Sequence, residues 1–256
     1  MKRLFPILLA AVTALAVSCM KDDDGVTPLP EAVDLGLFVD GKNIKWASLN
    51  LGASKEYEYG DYYAWGETEP HYAKGHSQDN PCKDWRVIDG KKMTGYDWDS
   101  YKWRTGPDFT FTKYNTISYS GNVDNNLELD RGDDPGDTTI DDVARAKLGG
   151  KWRMPTVAEW TELRTKCTWT WITQNGVKGY KVTGPNGNSI FLPAAGARRT
   201  IYLQDTGTSC RFWSSSLVEG NPVCAWAVSF QFHLDYNFCK IDTSRECGFP
   251  IRPVTE

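Results

Sequence analysis

The sequence predicts an α+β domain in which two helices accompany many short strands. Only two segments carry helix signals, whereas elsewhere apolar and aromatic residues alternate with polar ones over short stretches, as they do in β-strands. After the N-terminus the chain has no apolar run of transmembrane length and no tandem repeat. We therefore expect residues 32–256 to form one domain.

A β-hairpin is predicted in GYKVTGPNGNSIFLP. Tyr180 and Val182 alternate with polar residues before a turn at residues 184–187, and Ile190 and Leu192 alternate after it.

A half-buried strand is predicted in CAWAVSFQF, because large apolar residues occupy every second position. The expected core face consists of Trp226, Val228, Phe230 and Phe232, and the expected solvent face of Ala225, Ala227, Ser229 and Gln231.

The first helix is predicted in TTIDDVARAKLGG. Thr139 or a neighbour is the expected N-cap, Asp141 and Asp142 fall in the first turn, and the glycines at 149 and 150 end the helix.

The second helix is predicted in MPTVAEWTEL. Thr156 and Glu159 have the spacing of a capping box, and Pro155 keeps the preceding residue out of helical geometry. Trp160 and Leu163 then share a face that should pack on a sheet.

The N-terminus predicts export and a lipid anchor. Residues 1–18 resemble a secretory signal peptide, with Lys2 and Arg3 before an apolar run. LAVSC resembles a bacterial lipobox in which Cys19 is acylated, and residues 19–31 are expected to form an acidic tether. MKDDDG resembles the signal that sends lipoproteins of Bacteroidetes to the outer face of the outer membrane; a simple solvated linker is the alternative. The protein is therefore expected at the cell surface.

Composition excludes some partners. A net charge of -4 with no Lys/Arg cluster argues against nucleic acid, and three histidines without a C-x-x-C argue against a zinc site. Six cysteines remain after Cys19, in a compartment where disulfides persist. The possible disulfides involve Cys210, Cys224, Cys239 and Cys247.

Eight blocks of sequence, spanning about Val33 to Val254, resemble in their order the Fibrobacter succinogenes major paralogous domain of Bacteroidetes surface lipoproteins. They are AVDLGL, KWASLNLGA, YGDYYAWGE, GGKWRMPTVAEWTEL, GNSIFLPAAGAR, FWSSSL, AWAVSF and GFPIRPV. WRMPTVAEW is also similar to the RLPTEAEWE signature of formylglycine-generating enzymes. The resemblance implies a C-type-lectin-like α+β domain with two helices, a small antiparallel sheet and long irregular loops. It also implies that GFPIRPV forms a closing strand near the start of the domain.

The resemblance places the most variable text between Leu217 and Gly248, and we expect a ligand to bind there. Aromatic rings can stack on a sugar, while Asn, Asp and Arg supply directed hydrogen bonds. The candidate ligand-binding residues are Arg211, Trp213, His233, Asp235, Tyr236, Asn237 and Arg245. The expected partner is a glycan or a surface protein, and no catalytic residue, metal or other cofactor is expected.

Several alternatives stay open. The protein could be a structural or fimbria-associated component, or a target of a diversity-generating retroelement. A copper-dependent oxidase of the formylglycine-generating type would use Cys224 and Cys239 as thiolate ligands. Calcium could bind the acidic segment from Asp124 to Asp142, although its spacing fits no EF-hand and a solvated loop is the simpler interpretation.

Overall fold

The structure is a computed structural model that describes residues 29–71, 86–88, 91–93, 95–106, 108, 110–133, 138–200, 202–231 and 239–256. Within these ranges the helices are α1 (Val143–Leu148), α2 (Val157–Lys166) and a short 3-10 helix (Ser118–Ser120). The strands are β1 (Ala32–Val39), β2 (Lys42–Ala47), β3 (Tyr62–Tyr63), β4 (Arg86–Ile88), β5 (Lys91–Met93), β6 (Arg104–Thr105), β7 (Thr110–Phe111), β8 (Thr168–Gln174), β9 (Val177–Thr183), β10 (Ser189–Pro193), β11 (Ala197–Arg199), β12 (Tyr202–Gln204), β13 (Ser209–Leu217), β14 (Cys224–Gln231), β15 (Cys239–Ser244), β16 (Phe249–Pro250) and β17 (Val254–Thr255).

The described strands form seven small antiparallel sheets. Three sheets have three strands, in the orders β1-β2-β17, β10-β9-β8 and β13-β14-β15. The other four have two strands each and pair β11 with β12, β16 with β3, β4 with β5, and β6 with β7.

The α+β class expected from the sequence is wrong, because the described chain is β-rich. The two α-helices have only 6 and 10 residues, and strands dominate the remaining regular structure. The expected single small sheet is also replaced by several separate ones. Short apolar segments divided by turns pair with different partners, so the described strands form no large sheet.

The sheet β13-β14-β15 separates two parts of the core. Trp213, Ala225 and Ala227 face one hydrophobic cluster, whereas Phe212 and Val228 face the other. The predicted solvent face of β14 is therefore wrong for Ala225, Ala227 and Ser229, which are buried, while Gln231 is exposed as expected. Of the predicted core face, Val228 and Phe230 are buried and Trp226 is partly buried. Phe232 lies outside the described residues.

Helix α2 is confirmed, and it packs between β1-β2-β17 and the central sheet. Thr156 and Glu159 form the predicted capping box. Trp160 and Leu163 are fully buried. The Trp160 ring lies 4.7 Å from the Trp46 ring and 5.4 Å from the Phe212 ring, so this helix links the two sheets.

Helix α1 begins later than the sequence suggested. Asp142 is the N-cap, and its carboxylate accepts hydrogen bonds from the backbone N–H groups of Ala144 and Arg145. Asp141 and Asp142 therefore precede the first turn. The helix ends at Gly149, whose φ of 67° suits glycine, as predicted.

The predicted hairpin is confirmed as β9 and β10, with Val182 opposite Ile190 and Tyr180 opposite Leu192. Its turn lies against β1. A Cβ atom on Gly184 would come within 2.1 Å of the Leu35 carbonyl oxygen, so this close approach requires glycine.

The C-terminus closes the domain, as GFPIRPV suggested. β16 pairs with β3, and β17 pairs with β2. Between them, the buried Arg252 guanidinium donates to Asn50 Oδ1, Ala47 O and Phe191 O. These bonds tie the chain end to two earlier sheets.

Candidate functional site

The predicted ligand-binding loop leaves the central sheet where β14 ends. β14 ends at Gln231, β15 begins at Cys239, and Ser229 lies opposite Cys239 in the register. Residues 232–238 connect these two strands. The candidates His233, Asp235, Tyr236 and Asn237 belong to that connection and lie outside the described residues.

Three half-buried aromatic side chains, Trp169, Trp171 and Tyr180, lie beside this strand end, and we refer to them as the aromatic group. The Tyr180 ring lies 4.8 Å from the Trp171 ring and 5.5 Å from the Trp169 ring. The Trp169 ring also lies 4.6 Å from Phe230. The Tyr180 hydroxyl donates to the carbonyl oxygen of Gln231 at 3.3 Å, so the group reaches the last residue of β14.

Strand alternation positions the aromatic group. In TWTWITQ the tryptophans point to one face, where Trp169 is opposite Val182 and Trp171 is opposite Tyr180. Both tryptophans pack at the edge of the hydrophobic cluster rather than inside it. Sequence patterning alone does not distinguish these rings from core rings, because a core strand alternates in the same way.

An ion pair lies on the β13-β14-β15 sheet, on the face opposite to Phe230. Arg211 is opposite Ser229, two residues before the end of β14. Its Nη2 atom lies 2.7 Å from Asp205 Oδ2, and the Asp205 side chain is 47% exposed. Arg211 is thus the one described ligand-binding candidate that keeps an accessible polar partner near the loop.

Trp213 does not lie on a binding surface, and its selection as a ligand contact is wrong. It is fully buried, its Nε1 donates to the carbonyl oxygen of Tyr63 at 2.9 Å, and its ring stacks on Phe249 at 4.5 Å. The reason is that both faces of β13 are covered.

Arg245 is also a core residue rather than a ligand contact. Its fully buried guanidinium lies 4.4 Å from the Phe111 ring, 5.2 Å from Tyr101 and 5.5 Å from Trp65. Nη1 donates to the carbonyl oxygen of Tyr114 at 2.8 Å. Burial lowers the pKa of Arg245, and the rings partly compensate for lost hydration through cation–π contacts.

Three of the four cysteines of the predicted disulfides are described as unpaired. Cys210, Cys224 and Cys247 are free thiols, and Cys210 and Cys247 are buried. Burial raises the pKa of Cys247 to about 12, so its thiol stays protonated at neutral pH.

The strand register also separates the two cysteines proposed as copper ligands. Cys224 is opposite Ser244, whereas Cys239 is opposite Ser229, five residues away along β15. At about 3.3 Å per strand residue, the two backbones are roughly 17 Å apart. Two thiolates at that separation cannot hold one copper ion.

Two aspartates of the acidic segment, Asp124 and Asp142, use their carboxylates within the fold. Asp124 accepts from the backbone N–H groups of Tyr114, Asn115 and Asn126. Asp142 caps α1 and also accepts from the Met154 N–H. Across the described ranges no group of three or more His, Cys, Asp or Glu side chains is arranged to hold a metal ion.

None of the helices in the described part of the chain combines the length and apolar character needed to cross a membrane. The predicted signal peptide and Cys19 precede the described residues, and of the predicted tether only residues 29–31 are described.

Comparisons with protein-family models, with curated proteins and with solved structures give no match for this chain. The resemblance noted in the sequence therefore stays a prediction.

Proposed function

We propose that the protein is an outer-membrane lipoprotein that displays a non-catalytic ligand-binding domain at the cell surface. Its ligand is a glycan or a protein, and it binds where β14 and β15 meet residues 232–238. The observation that carries this proposal is the aromatic group beside Gln231.

Half-buried aromatic rings suit recognition because they offer rigid apolar area at low entropic cost. Trp171 and Tyr180 pack on the core from one side, which fixes their orientation before a ligand arrives. The Arg211–Asp205 pair supplies directed polar groups on the other face of the same strand end. The loop candidates His233, Asp235, Tyr236 and Asn237 would complete the site between them.

The proposed anchor leaves room for this site to face outward. β1 begins at Ala32, which is 32 − 19 = 13 residues after Cys19. At about 3.3–3.6 Å per extended residue, the tether can span at most about 45 Å. A ligand on another cell or on a polymer is within reach of a domain held in that way.

The test uses the full-length protein, purified in detergent, on an array of glycans and surface proteins. Two variants address the site: Trp171→Ala for the aromatic group, and combined alanine substitution of His233, Asp235 and Tyr236 for the loop. Each variant should bind the array compound that the natural protein binds at least about tenfold more weakly, which corresponds to about 1.4 kcal/mol. Tyr119→Ala is the matched control, because Tyr119 is 86% exposed and belongs to the 3-10 helix rather than to the strands that carry the site.

Unchanged binding in both site variants would contradict the proposed site. Loss of binding together with a fall in the melting temperature would show that the replaced side chains are structural. Conversion of any array compound by the purified protein would contradict the non-catalytic role.

A further inference from the structure

A polar groove lies at the end of β13 that is far from Gln231. It has a volume of about 500 Å³ and is lined by residues 125–133 with Thr139 and Thr156. Cavities of about 300–1,000 Å³ are typical of small-molecule sites. Ser209 and Ser216 lie seven residues apart on β13, so the groove is roughly 20 Å from the loop end of the sheet.

The wall of the groove is held in place by β13. Leu217 N–H donates to Leu127 O at 2.7 Å, and Leu129 N–H donates to Ser215 O at 3.2 Å. Glu128 forms a β-bridge with Ser216 between these two bonds. A ligand would therefore meet a wall that is already ordered, which reduces the entropic cost of binding.

Glu128 presents a fixed carboxylate to this groove. Its two oxygens accept hydrogen bonds from the hydroxyls of Ser215 and Ser216, at 2.5 and 2.6 Å. The side chain is nevertheless 45% exposed, so each oxygen retains acceptor capacity toward the cavity.

The charges of the groove favour an uncharged ligand. Each of its three carboxylates has a basic partner: Glu128 lies 4.0 Å from Arg131, Asp130 pairs with Lys113, and Asp133 lies 2.6 Å from Arg145. A bound cation would compete with these partners. Neutral hydroxyl groups would not, and they can use the acceptors of Glu128, the guanidinium donors of Arg131 and the amide of Asn126 together.

We propose that this groove binds a neutral oligosaccharide through its hydroxyl groups, independently of the site at residues 232–238. Glu128 and Asn126 are the principal hydrogen-bonding residues, and Arg131, which also lines the groove, supplies guanidinium donors. The proposal does not rest on the function proposed above, because it concerns the opposite end of the sheet.

The experiment titrates the full-length protein by calorimetry with four neutral hexasaccharides: β-1,4-linked glucose, α-1,4-linked glucose, β-1,4-linked mannose and β-1,4-linked xylose. At least one should bind with a Kd of about 1 mM or tighter. Glu128→Gln preserves the shape of the side chain and removes its charge, and it should weaken that binding at least about tenfold. Asn126→Ala is the second groove variant, and it decides the matter if Glu128→Gln lowers the melting temperature.

Two controls separate this groove from the loop site. Glu219→Gln removes another exposed carboxylate, outside the groove, and should leave the affinity unchanged. Trp171→Ala should also leave it unchanged, because the aromatic group lies at the other sheet end. Sugar binding that Trp171→Ala removes and Glu128→Gln spares would overturn the proposal.

Two further results would overturn it. One is the absence of binding for all four hexasaccharides. The other is preferential binding of calcium chloride or of hexalysine in a manner that depends on Glu128, since either would make the groove a cation site.

Discussion

Glu159 performs two tasks, and the difference between them can be measured. Its Oε2 atom accepts from the Thr156 N–H at 2.8 Å and from Arg153 Nη1 at 2.7 Å. Its Oε1 atom accepts from Arg153 Nη2 at 2.5 Å. Glu159 is 3% exposed and Arg153 8% exposed, so this ion pair is buried.

Two substitutions separate the cap from the ion pair. Thr156→Ala removes one cap hydrogen bond and should lower the free energy of unfolding by about 1 kcal/mol. Glu159→Gln leaves the buried Arg153 charge without its partner, which costs about 3–5 kcal/mol in comparable pairs. We expect about 3 kcal/mol here, because Glu256 lies 3.8 Å from Arg153 and can compensate in part.

Urea and thermal unfolding measure both effects. For a domain of this size, 1 kcal/mol corresponds to about 2–4 °C, so Thr156→Ala should lose about 2–4 °C and Glu159→Gln about 6–12 °C. Arg153→Met in the Glu159→Gln background should recover much of the loss, since the unpaired charge is then gone. Equal destabilisation by Thr156→Ala and Glu159→Gln would refute the assignment of the larger effect to the ion pair.

Three further predictions concern other parts of the chain. His71 should stabilise the domain at acidic pH: although burial opposes its charge, the Glu67 carboxylate at Nε2 and the Gly95 carbonyl, 2.8 Å from Nδ1, raise its pKa, so this contribution is complete below about 6.5 and is lost as the pH rises through the higher folded pKa. The melting temperature should therefore be lower at pH 9 than at pH 6, and His71→Gln should reduce this difference. An identical pH profile of the melting temperature in His71→Gln would disprove the contribution of His71. Ala227→Leu should cost about 1–3 kcal/mol of unfolding free energy, because Ala227 is 1% exposed between two strands, whereas a change within about 0.5 kcal/mol would place it in solvent. Cys19→Ala should move the protein from the membrane fraction to the soluble fraction, and unchanged retention would rule out the lipid anchor.

Local signals in the sequence predicted several elements correctly. The capping box of α2, the glycine that ends α1 and the turn of the β9–β10 hairpin all depend on residues within a few positions of one another. Such short-range chemistry is visible in the sequence because the interacting groups are neighbours in the chain.

The candidate site was only partly accessible to the same reasoning. Trp213 and Arg245 have the residue types of a recognition surface, yet the fold buries both. Trp171 and Tyr180 alternate as core residues do, yet they remain half exposed beside Gln231. Residue type and spacing do not reveal how many elements cover a strand, because those elements come from distant parts of the chain.

The sequence by itself determined where α2 begins and where the hairpin turns, and the family resemblance implied that the GFPIRPV segment closes the domain. Only the tertiary structure decided that β14 is covered on both faces, that Cys224 and Cys239 lie far apart, and that Arg245 lies among aromatic rings. The physical reason is that caps and turns are satisfied by adjacent backbone groups, whereas burial depends on the contacts that segments from distant parts of the chain make when they pack together.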